Sequence, residues 1–492
     1  MNAGELLIFL ALAVPLFAAV AIYAVGRMPD VRETLTIVAC IALGIVTISI
    51  FMRVGAGDPP VWTVARPLAG LEIAFRLEPL GALFALMASL LWGVNSLFSI
   101  GYMRGKREAH QTRFYMCFAL AMFAVMGIAM AANLFTLFVF YEVLTFSTYP
   151  LVTHACDARA RKAGRVYLAT LVGASLVLFL PGIIGVQIAA GSTAFMPGGL
   201  LDGKVSEGVG NALLLLLVFG SAKAALMPLH GWLPSAMVAP APVSALLHAV
   251  AVVKAGVFVI LKVSAYIFGP DLISALPAAT WLLWVAAGSI IVASLVAMTK
   301  DDLKSRLAWS TVGQLAYVTS AALLPAATGL LAGGLHMLVH AFAKITLFMC
   351  AGAIYVATGA SKVSEMRGLG RSMPIVFSCF LVGALCVIGL PPFAGMWSKF
   401  LLLNAAFGTK EWVTAAAMIV SSLLGLIYLA PVALMALLQP VGDGSPRAFI
   451  RPDGAPGPVV AAVMVTAAAC VVLFVLADAV VAYLAPMTGR VR

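Results

Sequence analysis

Five lysines stand inside runs of apolar residues: Lys223, Lys254, Lys262, Lys344 and Lys399. No arginine does so away from the end of a run, where Arg53 stands. That selection has a chemical reason, because arginine keeps its proton at any accessible pH whereas a desolvated lysine gives it up readily. A group that must gain and lose a proton in an apolar medium is Lys, His, Glu or Asp. Each such residue costs about 2.5–3.5 kcal/mol to insert into a membrane, so five lysines are not filler. The bland alternative is snorkelling, in which the ammonium reaches an interface along its aliphatic stem. It suits Lys262, which lies near the end of its run. Glu142 is the one carboxylate deep in such a run, while Asp478, near the end of the last run, reads as interfacial.

Four of the six histidines, His230, His248, His336 and His340, also occupy apolar runs. His336, His340 and Lys344 recur every four residues, which on a helix puts them on one face with about 6 Å of rise per step. A hydrated proton path, satisfied core histidines and a two-histidine metal site all fit that spacing. The metal reading lacks a nearby Cys, Asp or Glu, so no metal is expected. His248 and Lys254 are six residues apart and lie on rather different faces.

These residues need a scaffold that spans a bilayer. The 492-residue chain is 63% hydrophobic and 10% charged, with a mean hydropathy of +1.09. Soluble domains are about half apolar and about a quarter charged, so a globular soluble enzyme is excluded. The net charge of +11 comes with no basic patch or basic helix, so nucleic acid is not expected as a partner. The seven cysteines show neither C-x-x-C nor zinc spacing, which reads as small buried side chains rather than a redox or metal framework. The first run, 3–26, is longer than a signal-peptide core and has no basic residue before it, so it reads as a span.

Apolar runs fall near 3–26, 34–56, 80–103, 114–131, 134–153, 166–190, 211–239, 243–268, 277–299, 307–325, 326–358, 373–408, 412–438 and 457–486. The expected fold is an all-α polytopic membrane protein with about 14 transmembrane helices. The seventh run is interrupted between Pro228 and Pro234, and the twelfth at Pro391-Pro392; the eleventh opens with Gly329, Gly333 and Gly334. Broken backbone at membrane depth survives only against protein or water, and in transporters it marks conduction sites. Loops after odd-numbered spans hold 18 Lys and Arg, including Arg159, Arg161, Arg447 and Arg451, against 7 on the other side, including Arg490 and Arg492. The positive-inside rule then puts both termini on the outer face of a plasma or inner membrane.

Three stretches are familiar in combination: Lys223-Ala-Ala-Leu-Met-Pro-Leu-His-Gly-Trp-Leu-Pro running on to His248, His336-Met-Leu-Val-His-Ala-Phe-Ala-Lys344, and Gly389-Leu-Pro-Pro-Phe-Ala-Gly-Met-Trp-Ser-Lys399. Over about residues 80–440 the chain resembles the antiporter-like proton-conducting subunits of Mrp-type cation/proton antiporters and of respiratory complex I. The resemblance implies two inverted five-helix repeats with broken helices 7 and 12. It divides the chain into an N-terminal three-helix segment (1–113), a first repeat (114–268), a second repeat (277–438) and a C-terminal loop and helix (439–492). It also implies roles. Glu142 and Lys223 match the glutamate–lysine pair of spans five and seven, and Lys254 matches the connector in span eight. His248, His336, His340 and Lys344 match the central axis, and Lys399 the exit group. Where relatives often continue Trp-Leu-Pro with Asp, this chain has Ser235, so an acidic role there is absent.

The function implied is that of a proton-translocating subunit of the Mrp D type. The alternative is the corresponding pumping subunit of an NADH:quinone oxidoreductase. The chain ends about thirty residues after its fourteenth span begins, too soon for the lateral helix of the largest complex I subunit. The resemblance makes it a transporter subunit rather than an enzyme, and a translocase only within a complex I-like assembly. Implied partners are other membrane subunits and protons, with Na+, K+ or no further ion exchanged; no cofactor is implied. A redox enzyme binding quinone, flavin or haem lacks a dinucleotide loop, a cysteine framework and a soluble domain. A purely structural subunit leaves the mid-span lysines without a use, whereas a stand-alone transporter fits the same fold. Orientation is checked by labelling with an impermeant thiol reagent: Ser206→Cys should react from outside and Arg161→Cys should not.

Overall fold

The computed structural model describes residues 1–68, 71–440 and 454–488, apart from the side chains of residues 68 and 247–249. Arg447, Arg451, Arg490, Arg492 and the side chain of His248 lie outside the described residues.

Among the described residues fourteen spans are traced. Ten are helices individually long and apolar enough to cross a bilayer, among them Pro79–Gly105 (third), Leu134–Val152 (fifth), Ala158–Ala190 (sixth), Ala327–Thr358 (eleventh) and Trp412–Leu438 (thirteenth). The tenth span is Leu303–Leu323, a helix made more polar by Lys304 and Arg306 near its start. The other three are assembled from pieces. Span seven is Glu207–Gly220 followed by short turns to Val238, span eight is Ala241–Ala249 plus Val252–Val263, and span twelve is Pro374–Ile388 plus Gly395–Gly408. The two Pro-marked breaks are therefore where the sequence puts them.

Three elements depart from the sequence reading. Span eight is broken at Val250-Ala251, where no Pro or Gly announces it. Conversely, Ala327–Thr358 runs unbroken through its glycines, because they serve close packing: a side chain at Gly333 would meet Leu261, and one at Gly334 would meet Leu484. The segment between spans two and three is not a plain loop. It forms an antiparallel hairpin, Val61–Leu68 with Leu71–Arg76. The hairpin is tied down by Ala74 N–H donating to Thr136 Oγ1 (3.0 Å) and by Asn133 Nδ2 donating to Glu72 O (3.0 Å).

Span two also starts earlier than its apolar run, at Pro29. Arg32, expected in a loop, lies buried in its first turns beside Glu33, which also pairs with Arg104 of span three. The pairing explains why arginine is tolerated there. The broken spans find their partners within the protein. In span seven Trp232 Nε1 donates to Ala222 O (3.0 Å) and Lys223 N–H to Tyr141 OH (3.2 Å); in span twelve Ala394 N–H donates to Cys470 O (3.0 Å).

Glycine lets helices close on those breaks. A Cβ at Gly256 of span eight would stand 2.1 Å from the Ala224 nitrogen, and one at Gly395 would stand 1.7 Å from the Cys386 carbonyl oxygen. Neither neighbour is a movable side chain. Gly256→Leu should therefore displace the span-seven break at a cost of at least about 1–3 kcal/mol, as overpacking does, read as a lowered apparent Tm of the detergent-solubilised protein.

Candidate functional site

A polar row runs through the buried interior, and it is best followed from its middle. Lys254 of span eight, fully buried, hydrogen-bonds His340 Nδ1 of span eleven. One turn back, the ring of His336 lies parallel to that of His340, with centroids 5.9 Å apart. Helical spacing of i and i+4 produces this stack directly. His336 Nδ1 is 2.9 Å from Ser398 Oγ in the second piece of span twelve, and its other side stacks on Tyr317 of span ten at 5.6 Å. Next to Ser398, Lys399 donates to Ile388 O (3.0 Å) and to Ser422 Oγ of span thirteen (2.9 Å). Its ammonium also lies 5.0 Å from the Tyr317 ring centroid.

Lys254, His340, His336, Ser398 and Lys399 thus form a chain of neighbours connecting span eight to span thirteen. The Nε2 atoms of both histidines are buried without a partner. Lys344 is not in this line. It lies one turn beyond His340 on the side away from His336, and its Nζ donates to Leu307 O at 3.2 Å. Lys344 therefore stands beside the line rather than in it. As for the metal alternative, His340 Nδ1 faces a lysine amine, and among the described residues no cluster of three or more His, Cys, Asp or Glu stands ready for an ion.

The glutamate and lysine of spans five and seven are close neighbours but not an ion pair in this conformation. Lys223 Nζ donates to Tyr141 O (2.9 Å) and Thr145 Oγ1 (2.7 Å) and sits 3.1 Å from the Tyr141 ring centroid. Tyr141 and Thr145 are one turn apart on one face of span five, and Glu142 is rotated about 100° from Tyr141. Glu142 Oε1 is buried and has no hydrogen-bond partner. In place of a hydrogen bond to Glu142, the lysine is held on the carbonyl and hydroxyl beside it. From Thr145 the polar row continues one turn on to Thr148, whose hydroxyl meets Tyr167 OH at 2.6 Å.

Two other histidines lie apart from the row. His230, in the span-seven break, is half-buried, with Nδ1 3.2 Å from Pro228 O and its ring against Trp309. His154, in the loop after span five, escaped the sequence reading because no apolar run contains it. It is buried with neither ring nitrogen partnered, and burial, assisted by the nearby Arg113 charge, holds its pKa down to about 4. It lines a cavity of about 780 Å³ on the face of the odd-numbered loops, together with Glu108, Arg159, Lys162, Asp302 and Lys304. Thr145, Tyr317, Ser398 and Ser422 were also missed. Of these only Ser398, adjacent to Lys399, carried a sequence signal.

Comparison with known proteins agrees with this architecture. A sequence profile described as NADH:quinone oxidoreductase/Mrp antiporter, TM matches residues 131–425. NAD(P)H-quinone oxidoreductase chain 5 of Synechocystis sp. is 33% identical over 370 residues, covering 70% of this chain and 52% of the relative. NADH-quinone oxidoreductase subunit N of Desulforudis audaxviator is 32% identical over 405 residues, covering 80% and 76%. The chain spans about half the length of the chain 5 relatives that it matches. Among solved structures, a chain of the Mrp complex from Dietzia sp. superposes with a TM-score of 0.88 at 22% identity, covering 99% of this chain and 97% of that one. A chain of the membrane-bound sulfane sulfur reductase, an archaeal respiratory membrane complex, gives 0.86 at 23%, covering 98% of each. At these identities the two structures share the fold. The profile match and the subunit N relative carry the further conclusion that the chain belongs to the NADH:quinone oxidoreductase/Mrp antiporter transmembrane family.

Proposed function

We propose that the chain translocates protons along the buried row, as the proton-conducting subunit of a multisubunit cation/proton antiporter of the Mrp D type. The observation that carries this reading is the uninterrupted neighbour chain from Lys254 through His340, His336 and Ser398 to Lys399. Imidazole both donates and accepts, so a proton delivered to one ring nitrogen can leave by the other once water or a ring rotation supplies a partner. The partnerless Nε2 atoms are the places where such water would bind.

In this mechanism Glu142 sets the charge state of Lys223. A carboxylate close to a lysine favours the ammonium form, and withdrawal of that influence releases the proton toward span eight. The first repeat (114–268) then holds the switching half and the second (277–438) the half ending at Lys399. His248, in the broken span eight, belongs to the link between them, and Lys344 serves as a side store. Both termini face outward and the cationic cavity with Arg159 and Lys162 faces inward, supported by the basic asymmetry of the loops. Other membrane subunits complete the machine, as in the Mrp complex of the fold neighbour. The second reading, a pumping subunit of a quinone-linked complex, is favoured by the names of the sequence relatives. The ion exchanged, Na+, K+ or none besides protons, is tested by which cation gradient moves a pH dye in vesicles.

Two sets of variants test the row. Glu142→Ala and Lys223→Ala should each abolish driven proton transport in inverted vesicles while assembled protein stays at normal levels; near-normal transport in either would sink the mechanism. Lys399→Glu keeps a titrating group and should retain partial transport with a shifted pH profile. Lys399→Leu removes that group and its burial cost, so it should assemble well and transport poorly. A leucine variant that pumps like the parent would place the exit elsewhere.

A further inference from the structure

Lys262 stands apart from the row, near the opposite end of the second piece of span eight from Lys254. It is completely buried, so it does not snorkel into solvent. Its Nζ donates to Ala131 O (2.7 Å), lies 2.8 Å from Glu78 Oε1, and stands 4.4 Å from the Phe195 ring centroid. These three partners come from the end of span four, the start of span three and the loop after span six. All lie on the face that carries the N-terminus. The hairpin belongs to the same cluster, since Phe75 bridges to Ala131. Arg76, Tyr266 and Tyr483 are the other titratable groups around Glu78.

Replacing a buried ion pair by apolar side chains is often neutral or stabilising, so stability alone does not account for this one. Its position suggests another use. Lys262 is eight residues, or about 12 Å of helix, from Lys254. Between them Val257, Phe258, Ile260 and Leu261 are buried, with Phe258 stacked on Phe84 at 4.7 Å. That apolar layer separates the row from the cluster. Beyond it, the Glu78 side chain is 16% exposed, and the Tyr266 hydroxyl is buried without a partner. Parting the ion pair would let outside water hydrate Glu78, Lys262 and Tyr266, leaving one layer of side chains between that water and Lys254.

We propose that the Lys262–Glu78 pair is a seal that closes the first repeat toward the N-terminal face, so that Lys254 exchanges protons only along the row. Lys262 and Glu78 are then positioning residues, neither of them a proton carrier. The proposal rests on the conduction reading above, yet it is tested without driving transport.

The measurement is the passive proton leak of vesicles holding the fully assembled protein, followed with a pH dye under an imposed potential. A second readout is the reaction of Leu261→Cys with an impermeant maleimide added on the N-terminal face. Glu78→Gln and Lys262→Met should each raise the leak several-fold and make Leu261→Cys reactive. The exchanged pair Glu78→Lys with Lys262→Glu should restore tightness. Should a single variant fail to assemble, Glu78→Gln with Lys262→Met leaves no unpaired charge and should assemble yet leak. Tight, unreactive vesicles from the assembled single variants, or from that double variant, overturn the seal. Intact transport in Glu142→Ala would instead overturn the conduction reading, leaving the leak result to decide the seal alone.

Discussion

A buried ammonium has three hydrogens and, in a membrane interior, almost nothing to give them to. The structure is organised around meeting that demand. Lys223, Lys262, Lys344 and Lys399 each donate to a main-chain carbonyl, at Tyr141, Ala131, Leu307 and Ile388 respectively. Two of these carbonyls lie where a helix ends and leaves acceptors free, at Ala131 and Ile388. The other two lie within helices and also accept from a threonine one turn later, Thr145 and Thr311. Lys254 alone takes an imidazole. A carbonyl freed at a helix end, a carbonyl shared with a threonine, or an imidazole is therefore the condition on which a lysine can be there at all.

That condition explains which features were legible in the sequence. A lysine in an apolar run declares itself by composition, and a proline pair declares a break, so span count, the breaks in spans seven and twelve, and every charged member of the row were readable. Pairing was not. Whether Lys223 meets Glu142 or the carbonyl beside it depends on the rotation of span five by less than one-third of a turn, and no periodicity fixes that. Lys344 and His340 share a face, yet Lys254 approaches only one of them, because the crossing of spans eight and eleven is set by Leu261 against Gly333. The Val250-Ala251 break is silent because tertiary contacts make it, rather than residue type. The hairpin after span two is silent in the sequence because VWTVARPL and LEIAFR lack a period-two pattern.

The two breaks do similar work by different means. In span seven the interruption is sealed by side chains, Trp232 and Tyr141, that reach into freed backbone groups. In span twelve it is sealed by Lys399 itself and by the main chain of span fourteen at Cys470. The second break is thus stabilised partly by the group that it serves. A lysine that swings away there gives up its bond to Ile388 O, so the position of Lys399 and the shape of the span are tied together.

The parallel stack of His336 and His340 has a consequence for how many charges the interior can carry at once. Two unit charges about 6 Å apart repel by about 3 kcal/mol at an effective dielectric of about 20. Protonating both rings together, with Lys254 and Lys399 at either end, would multiply that penalty. On the conduction reading proposed above, the column would hold few protons at any moment, and loading one end would expel charge from the other. It would then work as a piston rather than a reservoir, with its stroke set by electrostatic crowding.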